Sequence, residues 1–221
     1  MTQIKLCGLS RPQDIEAANA LTPDYIGFVF AKKSRRYVSP ETARALRAKL
    51  APGIRAVGVF VDEPAESVAA LLRDHIIDIA QLHGAEDEAY IEKLRTLTDA
   101  PIIKAFRLGS ATELTPEEAT EQRQTQLATL REAAECNADY VLLDSGAGTG
   151  MVLNWELLRN FPKGYFLAGG LTPENVADAV RTLHPAAVDV SSGIETDKTK
   201  DAAKMRAFVR AVRKEEGYEQ S

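Results

Sequence analysis

AVGVFVDEPAESVAALLRDHIIDIAQLH, residues 56–83, holds one complete repeat of the chain's architecture. It opens on a valine-rich run, AVGVFV (56–61), without polar alternation. Runs of that kind are strands buried on both faces, as in parallel sheets. Asp62 and Pro64 then introduce a helical stretch, DEPAESVAALLRDH (62–75). An aspartate at the cap satisfies free N–H groups, and a proline in the first turn gives up no hydrogen bond. A second strand candidate, IDIAQLH (77–83), follows.

The same alternation runs outward in both directions. Strands are expected at IKLC (4–7), YIGFVF (25–30), PIIKAFR (101–107), DYVLLD (139–144), YFLAGG (165–170) and AVDVSS (187–192). Helices are expected over 10–21, with Ser10, Pro12 and Asp14 in the opening turn, and over 38–50, with Ser39 as cap. Two more are expected over 115–136 and 171–183, opening on Thr115–Pro116 and Thr172–Pro173. NWELLRNF (154–161) is the weakest helical stretch. About eight strand–helix units follow one another with no linker, charge block or low-complexity segment between them. An α/β fold with parallel strands, closed as a single (β/α)₈ barrel over 1–221, is the expectation. An open doubly wound sheet is the alternative.

Composition narrows the function classes. The chain of 221 residues is 45% hydrophobic and 27% charged, with net charge -5. That balance lacks the basic stripe of a nucleic-acid binder. The longest apolar runs are strand-sized, short of the roughly 20 residues of a membrane span. The start, MTQIKLCG, lacks the features of a secretory signal, so a cytoplasmic protein is expected. Cys7 and Cys136 are then two free thiols. No long exposed apolar segment stands out, and a monomer is expected.

Barrel enzymes build their sites at the C-terminal ends of the strands. That selects Cys7, the loop after Phe30, Asp62, His83, Arg107, Asp144, Gly169–Gly170 and Ser191–Gly193. AGGLTPENV (168–176) and DVSSGIE (189–195) combine glycines, serines and a helix start after strands seven and eight. Glycine lets backbone N–H groups approach an anion, and a helix N-terminus adds donors and a favourable dipole. A phosphate site at Gly169, Gly170, Ser191, Ser192 and Gly193 is the reading. Asp144 ends a buried run, where a carboxylate can serve as general acid or base. Cys7 can be a small buried hydrophobe or a chemical group, and its strand-end position favours chemistry. Among Lys32, Lys33, Arg35 and Arg36, one arginine could grip a carboxylate, without the residues alone saying which. His83 is expected to be a hydrogen-bonded polar residue beneath the site. One strand-end histidine is no metal signature, and neither metal nor cofactor is expected.

KLCGLS (5–10), GFVFAKKSRRYVSPE (27–41), GVFVDEP (58–64), QLHG (81–84), LLDS (142–145), LAGGLTPENV (167–176) and DVSSGIE (189–195) together closely resemble the phosphoribosylanthranilate isomerase family. The resemblance runs in order from residue 4 to about 209. It implies an Amadori rearrangement of N-(5-phosphoribosyl)anthranilate in tryptophan biosynthesis, without metal or cofactor. It implies Cys7 as general base, Asp144 as general acid and Arg36 as holder of the anthranilate carboxylate. It places the phosphate on the two glycine loops, with help from the loop containing Gly148, and gives Asp189 a supporting role.

Two stretches depart from the family pattern. GAGTGMVLNW (146–155) differs at Ala147, Leu153 and Asn154 and keeps Gly148, Thr149, Gly150 and Trp155. In ETDKTKD (195–201), Lys198 or Thr199 stands where a glycine is usual. A histidine-pathway isomerase would carry aspartate in place of Cys7. A pentose-phosphate epimerase would need metal-binding histidines and aspartates at the strand ends. A non-catalytic phosphate-binding barrel would need no acid and base across the mouth.

Overall fold

A computed structural model describes residues 1–109, 115–145, 155–215 and 217. Eight parallel strands close into a barrel in sequence order. They are β1 (Gln3–Cys7), β2 (Tyr25–Val29), β3 (Arg55–Phe60), β4 (Ile79–Leu82), β5 (Ile102–Arg107), β6 (Tyr140–Asp144), β7 (Tyr165–Ala168) and β8 (Ala187–Val190). β1 pairs with β8 as well as with β2, which completes the ring and excludes the open sheet. The apolar runs predicted this closure: strands such as β2 and β7 are buried along their whole length.

The strands end earlier than the runs suggest where backbone chemistry intervenes. Gly169 and Gly170 take positive φ, 91° and 63°, and stop β7. A single 3₁₀ turn, Ser192–Ile194, begins just after β8.

The helices are α1 (Pro12–Leu21), α2 (Pro40–Arg47), α3 (Ala65–Arg73), α4 (Glu88–Arg95), α5 (Pro116–Glu135), α6 (Val176–Leu183) and α7 (Ala202–Glu215). Ser39 and Thr115 cap α2 and α5 as expected, each side-chain oxygen accepting a backbone N–H. Asp14 reaches back to the N–H groups of Ser10 and Arg11 and shapes the start of α1. Asp62 does not cap α3. Its φ is 53°, and its carboxylate accepts from the N–H of Ala85, bracing the next loop. α6 starts later than expected because Asn175 Oδ1 accepts from the N–H of Thr172 and its amide donates to the carbonyl of Gly170. That pair of bonds folds residues 172–175 into a turn. Between β6 and β7 the described residues hold only a 3₁₀ turn, Trp155–Leu157. α4 and α7 lie outside the helices expected from the sequence, although Asp87 is an ordinary N-cap, accepting from Tyr90 N–H at 2.9 Å.

Most of the apolar core lies between barrel and helices. Ile4, Leu6, Phe28, Phe60, Leu82, Leu143 and Leu167 point outward into it. Each such side chain stabilises the fold by roughly 1.5–3 kcal/mol. The opposite parity points into the barrel. Tyr25, Phe166 and Tyr140 pack there, with ring centroids 5.4 and 5.8 Å apart. Arg55 lies over the Tyr25 ring at 4.5 Å, and the Tyr25 hydroxyl donates to Gln3 at 2.8 Å. These groups fill the interior at the N-terminal end of the barrel.

Candidate active site

At the C-terminal ends of the strands lies a cavity of about 380 Å³. It brings together Cys7, Arg36, His83, Asp144, Gly169, Gly170, Asp189, Ser191 and Ser192. Gly193 is close by but has a packing role: a Cβ there would run into the carbonyl of Leu171. Gly148, and with it the altered positions Ala147, Leu153 and Asn154, lie outside the described residues. The three neighbours weighed beside Arg36 are not part of the cavity lining.

Cys7 ends β1 with its side chain on the inner face and is 7% exposed. Period-2 geometry puts Lys5 on that same face. Lys5 is fully buried and pairs with Asp189 of β8 at 3.0 Å. Burial pushes the Cys7 thiol above its usual value; the Lys5 ammonium opposes this, Asp189 adds to it, and Lys200 opposes it. Burial alone would discharge Lys5, but Asp189 and Cys7 hold its proton and raise its pKa overall. The thiol therefore has a built-in cation two residues away. Gly27, opposite Cys7 on β2, makes room for it: a Cβ there would stand 2.7 Å from Sγ.

Across the cavity, Asp144 ends β6. His83 Nε2 lies 3.3 Å from Asp144 Oδ2. His83, the first residue after β4, has Nδ1 3.0 Å from the side-chain nitrogen of Gln81 on that strand. Arg107, aligned with Asp144 across the β5–β6 pair, donates to the carbonyl of His83 at 3.4 Å. Gly169, with φ of 91°, passes so close to this group that a Cβ would stand 2.6 Å from Asp144 Oδ1.

Arg36 reaches the cavity over Gly8, where a Cβ would run into its Cδ. Its guanidinium is held side-on by Glu195, Nε donating at 2.6 Å and Nη2 at 3.0 Å. Arg35 also pairs with Glu195, and Lys200 donates to it at 2.9 Å. Burial would raise the Glu195 carboxyl, but hydrogen bonds and charge from Arg36 and Lys200 bring it down to about 2. Lys200 also donates to the carbonyl of Ser191 at 2.7 Å and so ties this cluster to the loop after β8. Glu195 and Lys200 sit on a two-residue hairpin whose loop, Asp197–Lys198, has φ of 49° and 64°. Positive φ at both positions suits glycine; Lys198 lies in this loop and Thr199 in the strand that follows.

Ser191 Oγ donates to the backbone carbonyl of Cys7 at 3.2 Å, linking the loop after β8 to the strand end that carries the thiol. Among the described residues no cluster of three or more His, Cys, Asp or Glu side chains could hold a metal ion. No helix of the described residues is long and apolar enough to cross a membrane.

Lys5, Gly27, Gln81, Glu195 and Lys200 belong to the site but were not picked out from the sequence. Two could have been. Lys5 and Gln81 are polar residues inside apolar strands, each two positions before a strand-end candidate and so on its face.

Residues 4–211 match the family model described as N-(5′-phosphoribosyl)anthranilate (PRA) isomerase. The protein of that name from Acetivibrio thermocellus is 43% identical, over 98% of each chain. The one from Lactiplantibacillus plantarum is 40% identical, over 95% of this chain and 91% of its own. The crystal structure of phosphoribosyl anthranilate isomerase from Thermus thermophilus superposes with a TM-score of 0.78 at 34% identity, covering 96% of this chain and 99% of that one. A further solved relative, 30% identical with a TM-score of 0.77 over 97% of this chain and 100% of its own, is in complex with reduced 1-(o-carboxyphenylamino)-1-deoxyribulose 5-phosphate. Sequence match over nearly the whole chain, closed barrel and strand-end cavity agree: the chain belongs to the N-(5′-phosphoribosyl)anthranilate isomerase family.

Proposed function

We propose that this barrel carries out the family's Amadori rearrangement of N-(5′-phosphoribosyl)anthranilate, in tryptophan biosynthesis, with Cys7 as general base and Asp144 as general acid. The observation that carries the assignment is their position on opposite walls of one cavity, on β1 and β6. Asp144, protonated, gives its proton to the ribose ring oxygen as the aniline nitrogen pushes the ring open. A protonated Schiff base results. Cys7 thiolate then removes the proton from C2, and the enolamine tautomerises to the ketone.

Burial pushes the thiol up and favours its protonated form. Two cations favour the thiolate when substrate is bound: Lys5 below and the Schiff base above. Cys7 therefore reacts from a minor thiolate population that the substrate itself enlarges.

Arg36 has five N–H donors, and Glu195 takes only its side edge. The end-on edge stays available for a two-pronged grip on the anthranilate carboxylate. The phosphate goes to the backbone of Gly169–Gly170 and Ser191–Gly193, with Gly148 assisting and Lys200 supplying charge. Asp189 acts through Lys5.

The proposal includes one barrel domain over 1–221, active as a monomer in the cytoplasm, with no cofactor, metal or nucleic-acid partner. Scattered exposed apolar residues, among them Tyr37, Val61, Leu97 and Leu127, support the monomer. One solved relative, from Thermotoga maritima, is described as dimeric, so sedimentation is the check on this point. The reaction is tested by following loss of phosphoribosylanthranilate fluorescence with EDTA present. Turnover supports reaction and metal independence together; loss of turnover on adding EDTA would overturn the second.

A further inference from the structure

We infer that Gln81 is a positioning residue for the reaction: its side-chain amide holds His83 as the neutral Nε2–H tautomer, and His83 thereby orients Asp144 toward the substrate. The inference rests on the reading of Asp144 as the acid.

Three facts lead there. The Gln81 side-chain nitrogen lies 3.0 Å from His83 Nδ1. An amide N–H donating to Nδ1 makes that nitrogen an acceptor, so the ring proton sits on Nε2. Nε2 lies 3.3 Å from Asp144 Oδ2. That contact sets the neutral ring against one oxygen of the Asp144 carboxyl, whose orientation it fixes.

The third fact is what Gln81 does not do. It is only 1% exposed, and its Oε1 has no hydrogen-bond partner. A buried polar atom without a partner is destabilising. Its neighbours in register, Val59 and Ile103, are apolar. An apolar residue would fit that layer without the cost. The amide is explained by what it does to the imidazole.

The charged groups around His83 fit this role. Asp144 faces Nε2 from β6, and Arg107 on β5 binds the His83 carbonyl. Behind them the buried Lys104–Glu86 pair, 3.2 Å apart, fixes the following Gly84: Lys104 donates to its carbonyl, and its N–H donates to Glu86. An imidazolium would pair with Asp144 and hold it as a carboxylate, useless as an acid. An N–H donor at Nδ1 disfavours that state.

The test is nitrogen-15 NMR of the imidazoles together with kinetics. The chain has 3 histidines, and His83→Asn assigns the signal. The wild type is expected to show a bare Nδ1 and a protonated Nε2 at neutral pH. Gln81→Glu should protonate both nitrogens and move the acid limb of the kcat profile to higher pH. Gln81→Leu should keep or raise the melting temperature yet lower kcat about tenfold, with KM little changed, a part of the roughly 10²–10⁴-fold that acid–base groups supply. A wild-type ring protonated at Nδ1 and bare at Nε2, or a Gln81→Leu variant with wild-type turnover, would overturn the inference. The tautomer is read without turnover, so it stands or falls separately from the acid role, which Asp144→Asn tests: full activity there would remove Asp144 from that role.

Discussion

Lys5 and Asp189 form a buried ion pair, 3.0 Å apart, on the inner faces of neighbouring strands, two residues below the Cys7 thiol. A buried pair is no guarantee of stability, since removing both charges from water costs nearly what their attraction returns. Its location argues for a chemical use. The ammonium is a fixed positive charge that favours a thiolate on β1, and Asp189 helps keep it charged where burial alone would discharge it.

Lys5→Met keeps length and removes the charge. It leaves Asp189 buried and unpaired, at a cost of about 3–5 kcal/mol. Chemical denaturation should show that loss. The double variant with Asp189→Asn should recover much of the stability but not the turnover. In both, the ultraviolet absorbance of the Cys7 thiolate should appear at higher pH than in the wild type, because the cation opposing burial is gone. Unchanged thiol titration would mean that Lys5 serves only the fold.

Glu195→Gln tests the support of Arg36. With its side-on carboxylate weakened, the guanidinium loses its fixed orientation, and KM should rise about tenfold, the size of one charge-assisted hydrogen bond, with kcat little changed. The same variant has a pH signature. The folded carboxyl is depressed from 4.5 to about 2, so its stabilisation is present above pH 4.5 and is lost as pH falls toward about 2. The gap in melting temperature between wild type and variant should close over that window. A constant gap would contradict the ion-pair account.

Gly27→Ala would put a Cβ 2.7 Å from Cys7 Sγ and 3.1 Å from its Cα. Overpacking of this kind costs roughly 1–3 kcal/mol. Because the displaced group is the proposed base, kcat should fall as well. A variant that loses stability and keeps full turnover would show that the thiol position tolerates movement.

The sequence carried the barrel because eight buried strands read as apolar runs, each followed by a cap or turn residue. It carried Cys7, Asp144, His83 and the two glycine loops because a barrel collects strand ends at one mouth. The supports of these groups were harder to read. Lys5 and Gln81 have signals, polar residues inside apolar runs, but their meaning depends on which strand lies beside them. Glu195 sits 159 residues from Arg36, and only closure of β8 onto β1 brings them together. Asp62 has the residue type of a helix cap and is a loop brace, its carboxylate accepting from the Ala85 N–H while Pro64 takes the N-cap position of α3. α4 is harder to read because its start, Asp87, follows a glycine loop without a proline marker.

The central claim is that Cys7 is the base. Kinetics of Cys7→Ser, followed by substrate fluorescence, test it most directly. Serine keeps the shape of the side chain and raises its pKa far beyond reach. Turnover should fall by about 10²-fold or more while KM changes little, as expected when an acid–base group is lost. A Cys7→Ser enzyme with near-wild-type turnover would contradict the account.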